Sequence, residues 1–116
     1  MREKPRDRER LLHILEAAKN ILEFTEGKTY EDFLSDKMAQ FAVVKNFEII
    51  GEAAYHLTAA LREKTKHKIE WRKIIAFRHI LVHDYWMIDY ETVWHSKDNK
   101  LKALITEVSA VVNEME

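Results

Sequence analysis

Apolar residues recur at steps of three and four along most of the chain. Between about Arg6 and Phe24, the residues Leu11, Leu12, Ile14, Leu15, Ala18, Ile21 and Leu22 share one face of a 3.6-residue period, which predicts an amphipathic helix. Gly27 stands where a glycine follows a helix C-terminus. A short polar stretch leads into Tyr30–Leu34, and Ser35 or Asp36 reads as the N-cap of the next helix. That helix is predicted to run from about Asp36 to Lys64. Met38, Phe41, Ala42, Val44, Ile49, Ala53, Ala54, Leu57 and Leu61 give it an apolar face broader than one stripe. At roughly 28 residues it would span about 42 Å. A third helix is predicted from near Trp71 through Ile74, Ile75, Phe77, Ile80, Leu81 and Val82, fading at His83-Asp84-Tyr85-Trp86. A last one runs from about Tyr90 to Met115, with a bend or break near Ser96–Asn99. The pattern predicts an all-α protein, an antiparallel bundle of four or five helices.

Gly51 lies inside the long helix, where glycine costs roughly 1 kcal/mol relative to alanine. Close approach of another helix backbone would explain it. Glu48 and Glu52, four apart, share a face. They suit partners across a helix interface, plain solvation or, less readily, a divalent ion.

Composition narrows the class. The chain of 116 residues is 47% hydrophobic and 34% charged, which fits a single domain over residues 1–116. Two glycines and one proline are too few for a fold of hairpins. Without cysteine there are no disulfides, thiolate zinc sites or cysteine nucleophiles. Met1 to Arg10 is too charged for a signal peptide, and no window approaches about 18 uninterrupted apolar residues. A soluble, cytoplasmic protein is expected.

The formal net charge of −1 averages unlike segments. Residues 62–83 hold Arg62, Lys64, Lys66, Lys68, Arg72, Lys73 and Arg78 against only Glu63 and Glu70, a local charge of +5. A phosphate-bearing partner would bind there; the plainer alternative is a lysine-rich solvated loop.

Just beyond lies the densest chemistry, Phe77-Arg78-His79-Ile80-Leu81-Val82-His83-Asp84-Tyr85. Metal-free RNA cleavage needs a base for the ribose 2′-hydroxyl, an acid for the leaving 5′-oxygen and a cation for phosphoryl charge. Histidine transfers protons at neutral pH, and arginine presents a permanent fork to phosphate oxygens. Tyr85 offers a hydroxyl that can bind phosphate or be modified. Arg78 and His83 are five apart, about 140° around an ideal helix. For both to meet one substrate, the helix must end around His83, or two copies of the chain must pool residues. Two other readings stay open. His79 and His83, at i and i+4, could ligate zinc with Asp84, Asp89 or His95, although no glutamate follows His79 as in zinc hydrolases. Arg78 and His83 could also simply cap and pair at a helix end.

Arg78-x4-His83-x-Tyr85 matches the R-x4-H-x-Y motif, and the chain resembles the HepT-like toxins of the HEPN superfamily. The resemblance extends over Arg8-x2-Leu11-Leu12-His13-Ile14-Leu15-Glu16-Ala17, over Val44-x-Asn46-Phe47-Glu48-Ile49-Ile50-Gly51-Glu52-Ala53, and over Trp71-Arg72-x-Ile74 with Val82-His83-Asp84-Tyr85. It implies a homodimer with a cleft between protomers. It also implies a metal-independent endoribonuclease, needing no cofactor, with Arg78 and His83 catalytic; His79 and Asp84, in the same stretch of this chain, are candidate auxiliaries. Lys64, Lys66, Lys68, Arg72 and Lys73 would form the RNA-binding patch. The resemblance further implies a type VII-like toxin–antitoxin pair, in which a cognate minimal nucleotidyltransferase transfers AMP to Tyr85. The alternative from the same resemblance is a non-catalytic nucleotide-binding or adaptor subunit of a nucleotidyltransferase complex. This chain departs from the family in several places. His79 stands where asparagine is common, Phe41 and Lys45 stand where an acid and an arginine are common, and the loop Lys66–Glu70 has no proline.

Overall fold

The computed structural model describes residues 6–115; the start of the charged N-terminal stretch, Met1–Pro5, lies outside the described residues. Six α-helices follow one another: α1 (Asp7–Thr25), α2 (Tyr30–Leu34), α3 (Lys37–Tyr55), α4 (Ala59–Thr65), α5 (Trp71–His83) and α6 (Tyr90–Glu114). A single 3-10 turn, Tyr85–Met87, separates α5 from α6. The described residues are all-α as the periodicity predicts, with six α-helices among them where four or five were expected. No helix among the described residues is long and apolar enough to cross a membrane.

Local chemistry sets the boundaries. After α1 the chain reverses through Gly27, whose φ of 73° lies in the left-handed region open to glycine. Thr29 and Asp32 close a capping box on α2, each side chain accepting from the other's backbone N–H. Asp36 caps α3 by accepting from Ala39 N.

The predicted long helix is two helices. It stops at Tyr55, and Thr58 starts α4 by accepting from Leu61 N at 3.3 Å. Asp7 of α1 fixes the break: its carboxylate accepts from Thr58 N at 2.9 Å and from Thr58 Oγ1 at 2.7 Å. The apolar period hides this interruption because Leu57, within the break, is still buried. The opposite correction applies to α6, which runs unbroken through Ser96–Asn99. There Lys97 lays its stem over Trp94, with Nζ 3.8 Å from the ring centroid, and pairs with Asp98 at 2.7 Å. A residue that reads as polar therefore belongs to the inward face.

α3 is the central element, packed between α1 and α5, while α6 lies along α1. α1 and α3 run antiparallel, since Asp7 meets Thr58 beyond the end of α3 and Asn20 meets Asn46 further back. Leu11, Ile14, Ile21, Phe33, Val43 and Val108 fill the interior. Phe33 of α2 reaches Tyr90 and Trp94 of α6 with ring centroids 6.0 and 5.2 Å away, so the short helix plugs one end of the bundle.

Candidate functional site

α5 carries the candidate site, and both of its ends are fixed. At its start, Trp71 is buried and donates from Nε1 to Thr65 Oγ1 at 2.8 Å. At its end, Asp84 N donates back to Ile80 O at 2.9 Å, and the chain turns as Met87 N donates to Asp84 O at 2.8 Å. His83 is the last helical residue. Of the two geometries that could let Arg78 and His83 share a substrate, the helix ending at His83 is present within one chain.

Arg78 lies against α3 at Gly51. A Cβ on Gly51 would overlap the Arg78 Cβ, come within 2.7 Å of its Cγ and stand 3.2 Å from the Ile74 carbonyl. The missing side chain is thus the seat of the arginine, the close approach that a mid-helix glycine predicts. The next residue completes the seat. Glu52 Oε2 pairs with Arg78 Nη2 at 2.7 Å, while Glu52 Oε1 is 2.8 Å from His56 Nε2. The hydrogen bond from His56, joined by the positive charges of Arg78 and Arg10, holds the Glu52 carboxyl below the usual carboxylate range against the opposing effect of burial. Glu52 therefore takes a partner across a helix interface, and Glu48 does not share it. His56 carried no signal in the sequence beyond its place four residues after Glu52.

His79 and His83 stand exposed on α5, one turn apart, with ring centroids 4.3 Å from each other. Asp84, Asp89 and His95 do not complete a metal site with them: among the described residues, no three His, Asp or Glu side chains are grouped to hold an ion. Tyr85 is 71% exposed, its ring edge-on to Trp86 at 5.6 Å. Asp84 is half-buried at the cap.

The basic residues lie elsewhere. Lys64, Lys66, Lys68, Arg72 and Lys73 are exposed around the start of α5. Eleven residues of helical rise set Arg72 about 16 Å from His83. Lys66 pairs with Glu63 and Lys73 with Glu70, each at 2.7 Å. An apolar cavity of about 390 Å³ opens between α3, α5 and α6, lined in part by Phe47, Ile74, Phe77 and Leu104. Arg78, His79 and His83 are not part of it. The histidines face open surface, which suits a polymer better than a small enclosed substrate.

A family model described as Ribonuclease HepT-like matches residues 14–111, a stretch that takes in Gly51, Glu52, Arg78, His83 and Tyr85. The chain belongs to the HepT-like ribonuclease family. It is 36% identical over 101 residues to a candidate RNase of Methanocaldococcus jannaschii, covering 87% of this chain and 92% of that one. A candidate RNase of Caldanaerobacter subterraneus is 32% identical over 104 residues, covering 90% and 92%. A probable ribonuclease HepT of Thermococcus cleftensis is 36% identical over 91 residues, covering 78% and 82%. No solved structure matches the chain significantly. In this HepT-like protein the α3–α5 contact seats the motif arginine, and the end of α5 presents the motif histidine.

Proposed function

We propose that this HepT-like chain is the toxin of a toxin–antitoxin pair, a metal-independent endoribonuclease that cleaves RNA through the ribose 2′-hydroxyl. The observation that carries the reading is the end of α5, which leaves His83 exposed five residues beyond an arginine anchored on α3. His83 accepts the 2′-hydroxyl proton, and the freed oxygen attacks the adjacent phosphorus. Arg78 stabilises the charge that develops on the phosphoryl oxygens. A guanidinium has five N–H donors, so the bond to Glu52 leaves others for phosphate. The products are a 2′,3′-cyclic phosphate and a 5′-hydroxyl.

Two protomers pair so that their α5 termini line one cleft, and the basic patch at the start of α5 guides flanking RNA phosphates. A cognate nucleotidyltransferase neutralises the toxin by transferring AMP from ATP to Tyr85: Oη gives up its proton and bonds to the α-phosphorus as the bond to the β-phosphate breaks and pyrophosphate leaves. The exposure of Tyr85 and its place two residues from His83 support that role. The added phosphate and bulk would repel and block RNA at the site.

Inducing the chain alone in bacteria, and together with a nucleotidyltransferase encoded beside it, tests this reading. Growth arrest that is lost with His83→Ala and relieved by the partner is expected. A chain that binds the partner tightly yet causes no arrest and cleaves no RNA would be an adaptor subunit instead.

A further inference from the structure

Cleavage through the 2′-hydroxyl takes two proton transfers, one from the attacking oxygen and one to the departing 5′-oxygen. A neutral imidazole performs only the first. A second imidazole stands beside His83. The His79 ring centroid is 4.3 Å from that of His83, and both side chains are exposed. At 100° per residue, His79 falls between Arg78 and His83 around α5, about 40° from the histidine. Its surroundings do not explain it as a structural residue. His56 and His95 each pair with a glutamate, Glu52 and Glu91, at 2.8 and 3.8 Å. Among the described residues neither the His79 nor the His83 side chain has a hydrogen bond or ion pair, and their one ring contact is with each other, so both imidazoles are open to substrate.

We infer that His79 is the general acid of this site, supplied by the same protomer that supplies His83; the inference rests on the ribonuclease reading above. A ring nitrogen of His83 takes the proton from the 2′-hydroxyl as the O2′–P bond forms. The P–O5′ bond breaks, and the 5′-oxygen takes a proton from the imidazolium of His79. The turnover leaves His83 protonated and His79 neutral. Transfer of one proton between the adjacent rings, directly or through solvent water, restores the starting state. Imidazole populates both protonation states near neutral pH, so the two roles can coexist in one pair.

The leaving group tests the assignment. In an RNA oligonucleotide with one 5′-bridging sulfur the P–S bond breaks and the downstream fragment departs as a thiolate; a thiol is far more acidic than an alcohol (pKa about 8.5 for cysteine), so it needs no general acid. Rates of the full-length chain on this substrate and on its all-oxygen counterpart are compared in excess EDTA, with circular dichroism checking that each variant folds. His79→Asn should slow the oxygen substrate by about 10²–10⁴-fold, the ordinary worth of a general acid, while its deficit on the sulfur substrate shrinks to a few-fold. His83→Ala, which removes the base, should slow both. Equal deficits of His79→Asn on the two substrates, or none on either, would overturn the role of His79 while leaving the ribonuclease reading intact. A wild-type chain that cleaves neither substrate contradicts both together.

Discussion

Arg78 crosses α3 at a residue with no side chain, and the arrangement of the site follows from that contact. Glycine at position 51 lets the two helices approach, Glu52 grips the guanidinium from below, and His56 occupies the other carboxylate oxygen. A methyl group at Gly51 would have to push Arg78 and the α5 backbone away. Gly51→Ala is therefore expected to destabilise the fold by about 1–3 kcal/mol, the cost of overpacking, despite the better helix propensity of alanine. It should also lower RNA cleavage more than the loss of folded protein explains. Urea unfolding and cleavage assays on the same sample check both parts. The sequence made part of this legible. A glycine inside an amphipathic helix signals a close neighbour, and Glu52 shares a face with Glu48. Nothing in the spacing named Arg78 as that neighbour, because the contact joins residues 27 positions apart in the chain.

Individual helices show where periodicity works and where capping chemistry overrides it. α1 and α5 fall within a few residues of their predicted bounds because each has a clear apolar stripe. The stop at Tyr55 depends on Asp7, a surface acid fifty-one positions away from Thr58, and no local pattern reveals such a bond. Asp89 starts α6 in a more readable way, accepting from Glu91 N at 3.0 Å and from Thr92 Oγ1 at 2.9 Å. The Thr92 hydroxyl and backbone hold the Asp89 carboxyl below its ordinary range, as the Ala39 N–H does for Asp36 and the His56 hydrogen bond for Glu52. A carboxyl with a lowered folded-state pKa is protonated more readily in the unfolded chain. Its contribution to stability is thus complete above the ordinary carboxylate range, near pH 4, and is lost as pH falls through the folded value. Thermal melting should accordingly drop on acidification below about pH 4. Asp89→Asn, which keeps a good N-cap but cannot titrate, should flatten that decline. A variant whose acid slope equals that of wild type would contradict this account of the α6 cap.

On the scale of the whole molecule, charge and chemistry are segregated along one helix. The basic residues surround the start of α5 and His83 stands at its end, with about 16 Å of helical rise between Arg72 and His83, a span that suits a polymer lying along the helix. The sequence placed both groups but not their separation, which only a helix running unbroken from Trp71 to His83 creates. Tyr85, exposed beyond that end, is the expected point of control. Co-expression with the nucleotidyltransferase should add the mass of one AMP group to the wild-type chain and none to Tyr85→Phe, as read by intact-protein mass spectrometry. An equal gain in both would move the modification to another residue.

The most direct measurement is cleavage of RNA by the purified chain in excess EDTA, with the product ends identified. Wild type should yield 2′,3′-cyclic phosphate ends, and folded His83→Ala should yield none. Undiminished cleavage by His83→Ala, or cleavage by wild type only when a divalent metal is supplied, would contradict the account.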